Sequence, residues 1–228
     1  MRSSTPAILT ASMLLALAAF GCGRQGPSPE GAPPPLVDLT APEPDAAGEQ
    51  RTAIFAGGCF WCTEVVFEQL KGVSEVVSGY AGGTADTANY EAVSASASDH
   101  AEAIKIIYDP GQISYGQLLK VFFTVAHDPT QKDRQGPDRG RQYRSAVFFA
   151  SDEEKNVVEA YVRQLEEAGT WSRPIVTTLE PLEQFYPAED YHQDFVKHHP
   201  NHGYVVVNAL PKVKKVREKF AELVRKPG

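Results

Sequence analysis

Two thiols, Cys59 and Cys62, stand two residues apart in Gly58-Cys59-Phe60-Trp61-Cys62. A thiolate is a strong soft nucleophile, and a second thiol three positions along can close a disulfide with the first once that sulfur has been oxidised. Residues 52–56 (TAIFA) read as an apolar strand. Residues 63–70, with Val66, Phe67 and Leu70 at helical spacing, read as a helix. The Gly57-Gly58 pair marks the turn between them, which places Cys59 at a helix N-terminus. There, free backbone N–H groups and the positive end of the helix dipole favour thiolate over thiol, so Cys59 is expected to be ionised and reactive at neutral pH.

The elements that must position this pair follow from pattern. Residues 74–80 read as a strand, Tyr90 falls in the loop after it, and residues 101–108 (AEAIKIIY) alternate like a half-buried strand carrying Glu102. Ser114 and Gln117 form a capping box ahead of a helix with Leu118, Leu119, Phe122, Phe123 and Val125, ending at His127-Asp128-Pro129. A polar stretch over 130–144 holds Asp138 and Tyr143; residues 145–149 return to strand. Ser151 and Glu154 open a second capped helix that runs to Gly169, residues 175–179 read as a further strand, and 211–226 as a basic amphipathic helix with a solvated face. The pattern predicts an α+β domain built as a two-layer sandwich. By local signals alone, Glu102 belongs on a solvent face, Tyr90 and Tyr143 at a core edge, and Asp138 in a turn.

The ends of the chain differ from its middle. Arg2 is the one charge before an almost wholly apolar or small run over 7–20, too short for a flanked membrane span and ending at Gly21-Cys22. This segment resembles a bacterial lipoprotein signal, which implies cleavage after residue 21 and acylation of Cys22; the alternative is an ordinary secreted, soluble protein. Residues 22–50 are dense in Pro, Gly and Ala, with Pro33-Pro34-Pro35 at the centre, and predict a tether between a membrane anchor and a folded domain. Residues 51–210 suffice for one catalytic domain, and 211–228 add the C-terminal helix. The net charge of −7 argues against nucleic acid as a partner. With Cys22 assigned to the anchor, only Cys59 and Cys62 remain, too few for a disulfide scaffold, so they point to redox chemistry, metal binding or catalysis.

Two rival readings use the same thiols. A thioredoxin-like dithiol oxidoreductase shares the strand, Cys-x-x-Cys, helix signature, but here Trp61 lies between the cysteines, not before them. A metal-binding module would pair them with His198, His199 and His202, a spacing too long for an ordinary finger and interrupted by Pro200.

Separated segments together resemble the A-type peptide methionine sulfoxide reductases over about residues 53–208. These are Gly58-Cys59-Phe60-Trp61, Ser78-Gly79-Tyr80-Ala81-Gly82-Gly83, Asn89-Tyr90-Glu91, His100-Ala101-Glu102-Ala103, Val125-Ala126-His127-Asp128-Pro129-Thr130, Arg134-Gln135-Gly136, Gln142-Tyr143-Arg144-Ser145 and Ala188-Glu189-Asp190-Tyr191-His192-Gln193. The resemblance implies a ferredoxin-like core with additional loops, and reduction of the S epimer of methionine sulfoxide, free or in oxidised proteins. By match to the family motifs, Cys59 is the expected nucleophile and Glu102 the acid that protonates the sulfoxide oxygen. Tyr90 and Tyr143 are expected to hydrogen-bond that oxygen, Asp138 to support the site, and Phe60 and Trp61 to take the substrate methyl group. It further implies no metal or organic cofactor and regeneration by a thioredoxin-type donor; a monomer is expected, and the lipoprotein-like N-terminal segment puts it exported and membrane-anchored on the periplasmic or extracellular side. Two departures stand out: Pro137 precedes Asp138 where the family usually has a polar residue, and no cysteine follows Cys62. Cys62 is therefore the candidate resolving thiol, with a one-cysteine cycle as the alternative.

Overall fold

The computed structural model describes residues 31–39 and 49–225; Cys22, the apolar run before it and the last three residues lie outside the described residues. The first half of the domain runs β1 (Arg51–Gly57), α1 (Phe60–Phe67), β2 (Val73–Ala81), α2 (Tyr90–Ser94), β3 (Ala101–Tyr108) and α3 (Tyr115–Val121), continued by a π-helical turn over Phe122–Ala126. The second half holds the two-residue strands β4 (Arg134–Gln135) and β5 (Asp138–Arg139), then β6 (Ser145–Phe149), α4 (Asp152–Glu167), β7 (Thr178–Pro181), β8 (Phe185–Pro187) and α5 (Phe195–His198). A second π-helical turn, Val205–Ala209, leads into α6 (Leu210–Lys219).

The main sheet has the order β7-β6-β1-β3-β2-β8. Its pairs are antiparallel apart from β6 with β7. The inner four, β6-β1-β3-β2, with α1 and α3 as crossovers, form the split βαβ arrangement of a ferredoxin-like core, as the resemblance implies. One face of the sheet, through Phe55, Ile104, Ile106 and Val147, packs against Phe67, Leu118, Phe122 and Val158 of the helices. The other face is a smaller cluster of Ile54, Ala56, Ala81, Ala103, Ala146 and Phe148, closed over by Leu182 and Phe185. Strand β3 is thus covered on both sides, which is why its burial does not follow the alternation of a half-exposed strand.

Several expected boundaries shift for identifiable reasons. Helix α1 starts at Phe60 and ends at Phe67, earlier than the apolar spacing suggests, because Cys59 already acts as its cap residue. Strand β7 begins at Thr178, not at 175, since the Val176 N–H donates to Pro129 O outside the sheet. The capping box on α3 is complete: Gln117 N–H donates to Ser114 Oγ at 3.1 Å, and Ser114 N–H to Gln117 Oε1 at 2.9 Å. On α4 the Glu154 carboxylate takes the Ala150 N–H, leaving half a box.

The basic side of α6 is not wholly solvated. Lys212 Nζ donates to Ala126 O at 2.6 Å and Lys215 Nζ to Thr124 O at 2.7 Å, satisfying carbonyls at the end of the π turn. Val213, Val216 and Phe220 seat the helix on the core.

Residues 31–39 are docked, where a free tether is expected. Tyr161 Oη donates to Pro33 O at 3.1 Å, Gln164 Nε2 to Pro34 O at 2.8 Å, and Leu36 N–H to Gln164 Oε1 at 3.1 Å. Asp38 accepts from Ser114 Oγ at 2.5 Å and Gly116 N–H at 2.7 Å, placing a carboxylate on the N-terminus of α3. A proline run has little backbone freedom to lose and keeps every carbonyl as an acceptor, so few anchors suffice to hold it. Gln164→Ala removes two of these anchors. It should destabilise the domain by about 1 kcal/mol in denaturant titration and abolish hydrogen-exchange protection at Leu36, while protection in β1 and β3 persists.

Candidate active site

The turn that delivers Cys59 depends on glycine. Gly58 has φ +87, and a Cβ there would lie 2.4 Å from Gln135 Cβ. Cys59, with φ −50 and ψ 120, is the cap residue of α1, and its carbonyl accepts from Cys62 N–H at 3.1 Å and Thr63 N–H at 3.3 Å. The N–H of Phe60 has no partner within the helix. It donates to Glu102 Oε2 at 3.0 Å, across from β3. Glu102 is 3% exposed, on the face of β3 that meets the helices, not on the solvent face its local pattern suggests. Burial pushes its carboxyl up to about 8 against the opposing pull of that N–H, so at neutral pH it carries a proton next to Cys59.

A cavity of about 200 Å³ is bordered by Cys59, Phe60, Trp61, Tyr90, Glu102, Asp138 and Tyr143, the residues singled out from the sequence, together with Tyr204. Tyr90 opens α2, whose cap Asn89 accepts from Ala92 N–H at 3.0 Å, and Tyr90 N–H is held by Glu189 at 2.9 Å. Trp61 stacks on Phe195 with centroids 3.7 Å apart and planes at 7°, and its Nε1–H donates to His192 Nδ1 at 3.1 Å. The His192 ring lies 5.0 Å from Phe60 and 4.6 Å from Tyr90, completing an aromatic wall. Asp138 comes from the β4–β5 hairpin, whose tip is Gly136-Pro137. Pro137 thus occupies a turn where no ladder N–H is needed, and it does not prevent Asp138 from reaching the cavity, where the carboxylate accepts from Tyr204 Oη at 2.5 Å.

Cys62 lies behind this cavity, 2% exposed, with Sγ 4.0 Å from Tyr204 Oη. The charge distribution over the thiol pair differs from the expectation of a dipole-activated Cys59. Burial, then the neighbouring Cys62 and Glu102, push the Cys59 thiol well above its ordinary value. The one-turn reach of a short helix's dipole does not offset desolvation. The hydrogen bond from Cys59 draws Cys62 down to about 7 in spite of burial, with Lys212 and Tyr204 contributing. Of the two thiols, Cys62 is the more readily ionised.

Tyr204, His192, Phe195, Glu189 and Gln193 escaped the residue-level reading. The motif over 188–193 contributes to the resemblance without assigning these side chains. In the fold, Gln193 bonds Ser78 N–H at 2.9 Å, Ser78 O at 3.0 Å and Ala188 O at 2.9 Å, while Glu189 accepts from Tyr80 Oη at 2.9 Å. His199 and His202 pack on Phe195, and among the described residues no three His, Cys, Asp or Glu side chains form a metal-sized group.

The sequence model of the family described as peptide methionine sulfoxide reductase matches residues 51–224. Peptide methionine sulfoxide reductase MsrA 2 of Synechocystis sp. is 52% identical over 193 residues, 85% of this chain and 90% of that protein. Peptide methionine sulfoxide reductase MsrA of Deinococcus radiodurans is 48% identical over 183 residues, covering 80% and 87%. Among solved structures, reduced Mxr1 from Saccharomyces cerevisiae superposes with a TM-score of 0.61 at 31% identity, over 73% of this chain and 93% of that one. Methionine sulfoxide reductase A of Corynebacterium diphtheriae gives 0.59 at 30% identity, over 76% and 82%.

Holding Glu102 neutral has a measurable consequence. The folded protein keeps, up to about pH 8, a proton that the unfolded chain releases near the ordinary glutamate value of 4.5. Stability attributable to this group is therefore intact at low pH and lost as pH rises through that window, by about 1.4 kcal/mol per pH unit for one proton. Glu102→Gln has no such loss. The variant's denaturation free energy relative to wild type should rise from pH 5 to pH 8 and level off above it; a pH-independent difference would contradict a neutral buried Glu102.

Proposed function

The chain belongs to the peptide methionine sulfoxide reductase family and reduces methionine sulfoxide; on that premise we propose that it does so through a sulfenic acid on Cys59 and a disulfide between Cys59 and Cys62. The observation that carries this reading is the buried Glu102 carboxyl seated on the Phe60 N–H, beside Cys59 and facing the same cavity, where burial favours its protonated form. In the first half-reaction Glu102 gives its proton to the sulfoxide oxygen, which makes the substrate sulfur electrophilic, and recovers a proton from the Cys59 thiol as its sulfur attacks. The oxygen ends on Cys59 as S–OH and methionine leaves. Tyr90 and Tyr143 border the same cavity and in this reading hydrogen-bond the oxygen, while Phe60 and Trp61 receive the methyl group. The S epimer is the substrate form that the family resemblance implies.

In the second half-reaction Cys62 attacks Cys59 sulfur, the S–O bond breaks, and the hydroxyl leaves as water. Cys62 is three residues from Cys59 and, apart from Cys22, the only other cysteine in the chain. A dithiol donor of the thioredoxin type then reduces the disulfide by exchange. We also propose cleavage at Gly21-Cys22 and lipidation of Cys22, which would tether the enzyme on the outer side of the cytoplasmic membrane.

Single-turnover experiments test the cycle. Glu102→Gln should form Cys59 sulfenic acid about 100-fold more slowly at neutral pH with circular dichroism unchanged. Cys59→Ser should release no methionine. Cys62→Ser should release one equivalent, then stall with sulfenic acid on Cys59, detectable by dimedone labelling. Wild-type turnover by Cys62→Ser with a thioredoxin donor would establish the one-cysteine cycle instead. For the anchor, Cys22→Ala should move the protein from the membrane to the soluble fraction with kcat/KM retained. A wild-type N-terminus elsewhere than residue 22, read by mass spectrometry, would reject lipidation.

A further inference from the structure

The cysteine pair borders a second cavity, of about 60 Å³, which Glu102 and Phe60 do not reach. Tyr204, Asn208 and Lys212 enter it from one helical stripe at a spacing of four. The Lys212 ammonium does not extend into solvent: Nζ donates to Ala126 O at 2.6 Å, and this bond pins the charge at the cavity wall that Cys62 shares. Burying part of a lysine next to two thiols and away from the substrate cavity has no use in the first half-reaction.

Resting on the reading that Cys62 resolves, we propose that Lys212 holds Cys62 as a thiolate for its attack on the Cys59 sulfenic acid. It acts through Cys62 and is a positioning residue. In that step the Cys62 sulfur is oxidised and the Cys59 sulfur reduced as S–S forms and S–O breaks. The departing hydroxyl takes a proton from the Tyr204–Asp138 pair and leaves as water; the proton Cys62 gave up on ionising replenishes the pair. The groups facing Cys62 are Cys59 at the start of α1, Glu102 from β3, Asp138 from β5, and Tyr204 and Lys212 from the C-terminal segment. Lys212 is the cation among them. Cys59 is the larger influence drawing Cys62 down, but once Cys59 is a sulfenic acid its contribution changes while that of Lys212 persists.

The test is the pH profile of disulfide formation in Lys212→Met and in Lys212→Gln, whose amide keeps a donor for Ala126 O. Single turnovers of the full chain are quenched with an alkylating agent. Released methionine reports sulfenic acid formation, and the mass of the tryptic peptide carrying both cysteines reports the disulfide. Removing the ammonium raises the Cys62 pKa. For a rise of about one unit the thiolate fraction falls tenfold below both midpoints, while each thiolate becomes about threefold more nucleophilic. The expected result is a crossover: disulfide formation about threefold slower than wild type at pH 5.5 and about threefold faster at pH 9.5, with Lys212→Arg restoring the wild-type midpoint. A uniform slowing with an unmoved midpoint in the neutral variants would overturn the role of Lys212 and leave the resolving role of Cys62 standing. Absence of the disulfide in wild type after methionine release would overturn both.

Discussion

One hydrogen bond organises the site: the Phe60 N–H of α1 donates to a carboxyl buried on β3, 42 positions along the chain. A helix start has N–H groups without partners, and a buried carboxyl needs donors, so each satisfies what the other lacks. The bond places an acid beside Cys59. The carboxyl stays neutral because burial outweighs the single N–H. Its position is set by register: Tyr80 pairs with Glu102 across β2 and β3, and a slip by one residue would send Glu102 to the opposite face of the sheet and bring Ala101 or Ala103 to the helix side.

The aromatic wall depends on a different principle, because its parts come from three separate stretches of chain. Phe60 and Trp61 arrive on α1, Tyr90 on α2, and His192 and Phe195 on the segment after β8. That segment has little regular structure of its own, and it is held by polar anchors: Gln193 on Ser78 and Ala188, and Glu189 on Tyr80 and Tyr90. Polar side chains outside the aromatic wall therefore decide where its rings stand. The His192 acceptor for Trp61 fixes the indole plane that Phe195 then covers.

Charge around the two thiols follows burial more than helix geometry. Both cysteines are enclosed, Glu102 is neutral, and Asp138 is raised by burial while accepting from Tyr204. Lys212, anchored on Ala126 O, borders the same small cavity as both thiols. The two cavities share Cys59, Asp138 and Tyr204 in their walls.

Much of this was legible in the chain before folding was considered. The apolar runs gave β1, β3 and β6 to within a residue, because strand patterns are local, and the capping box of α3 is a contact between residues three apart. The cysteine pair, the glycine turn and the ordered family motifs determined the reaction class. What they left open depends on distance in sequence. Only the fold could show that Glu102 faces inward, since alternation loses its meaning in a strand buried on both faces. The docking of residues 31–39 was invisible to composition, because proline carbonyls become anchors only when α4 presents Tyr161 and Gln164 to them. The upward shift of the Cys59 thiol was likewise beyond the sequence: a helix-start signal favours a thiolate, and burial by the surrounding fold opposes it.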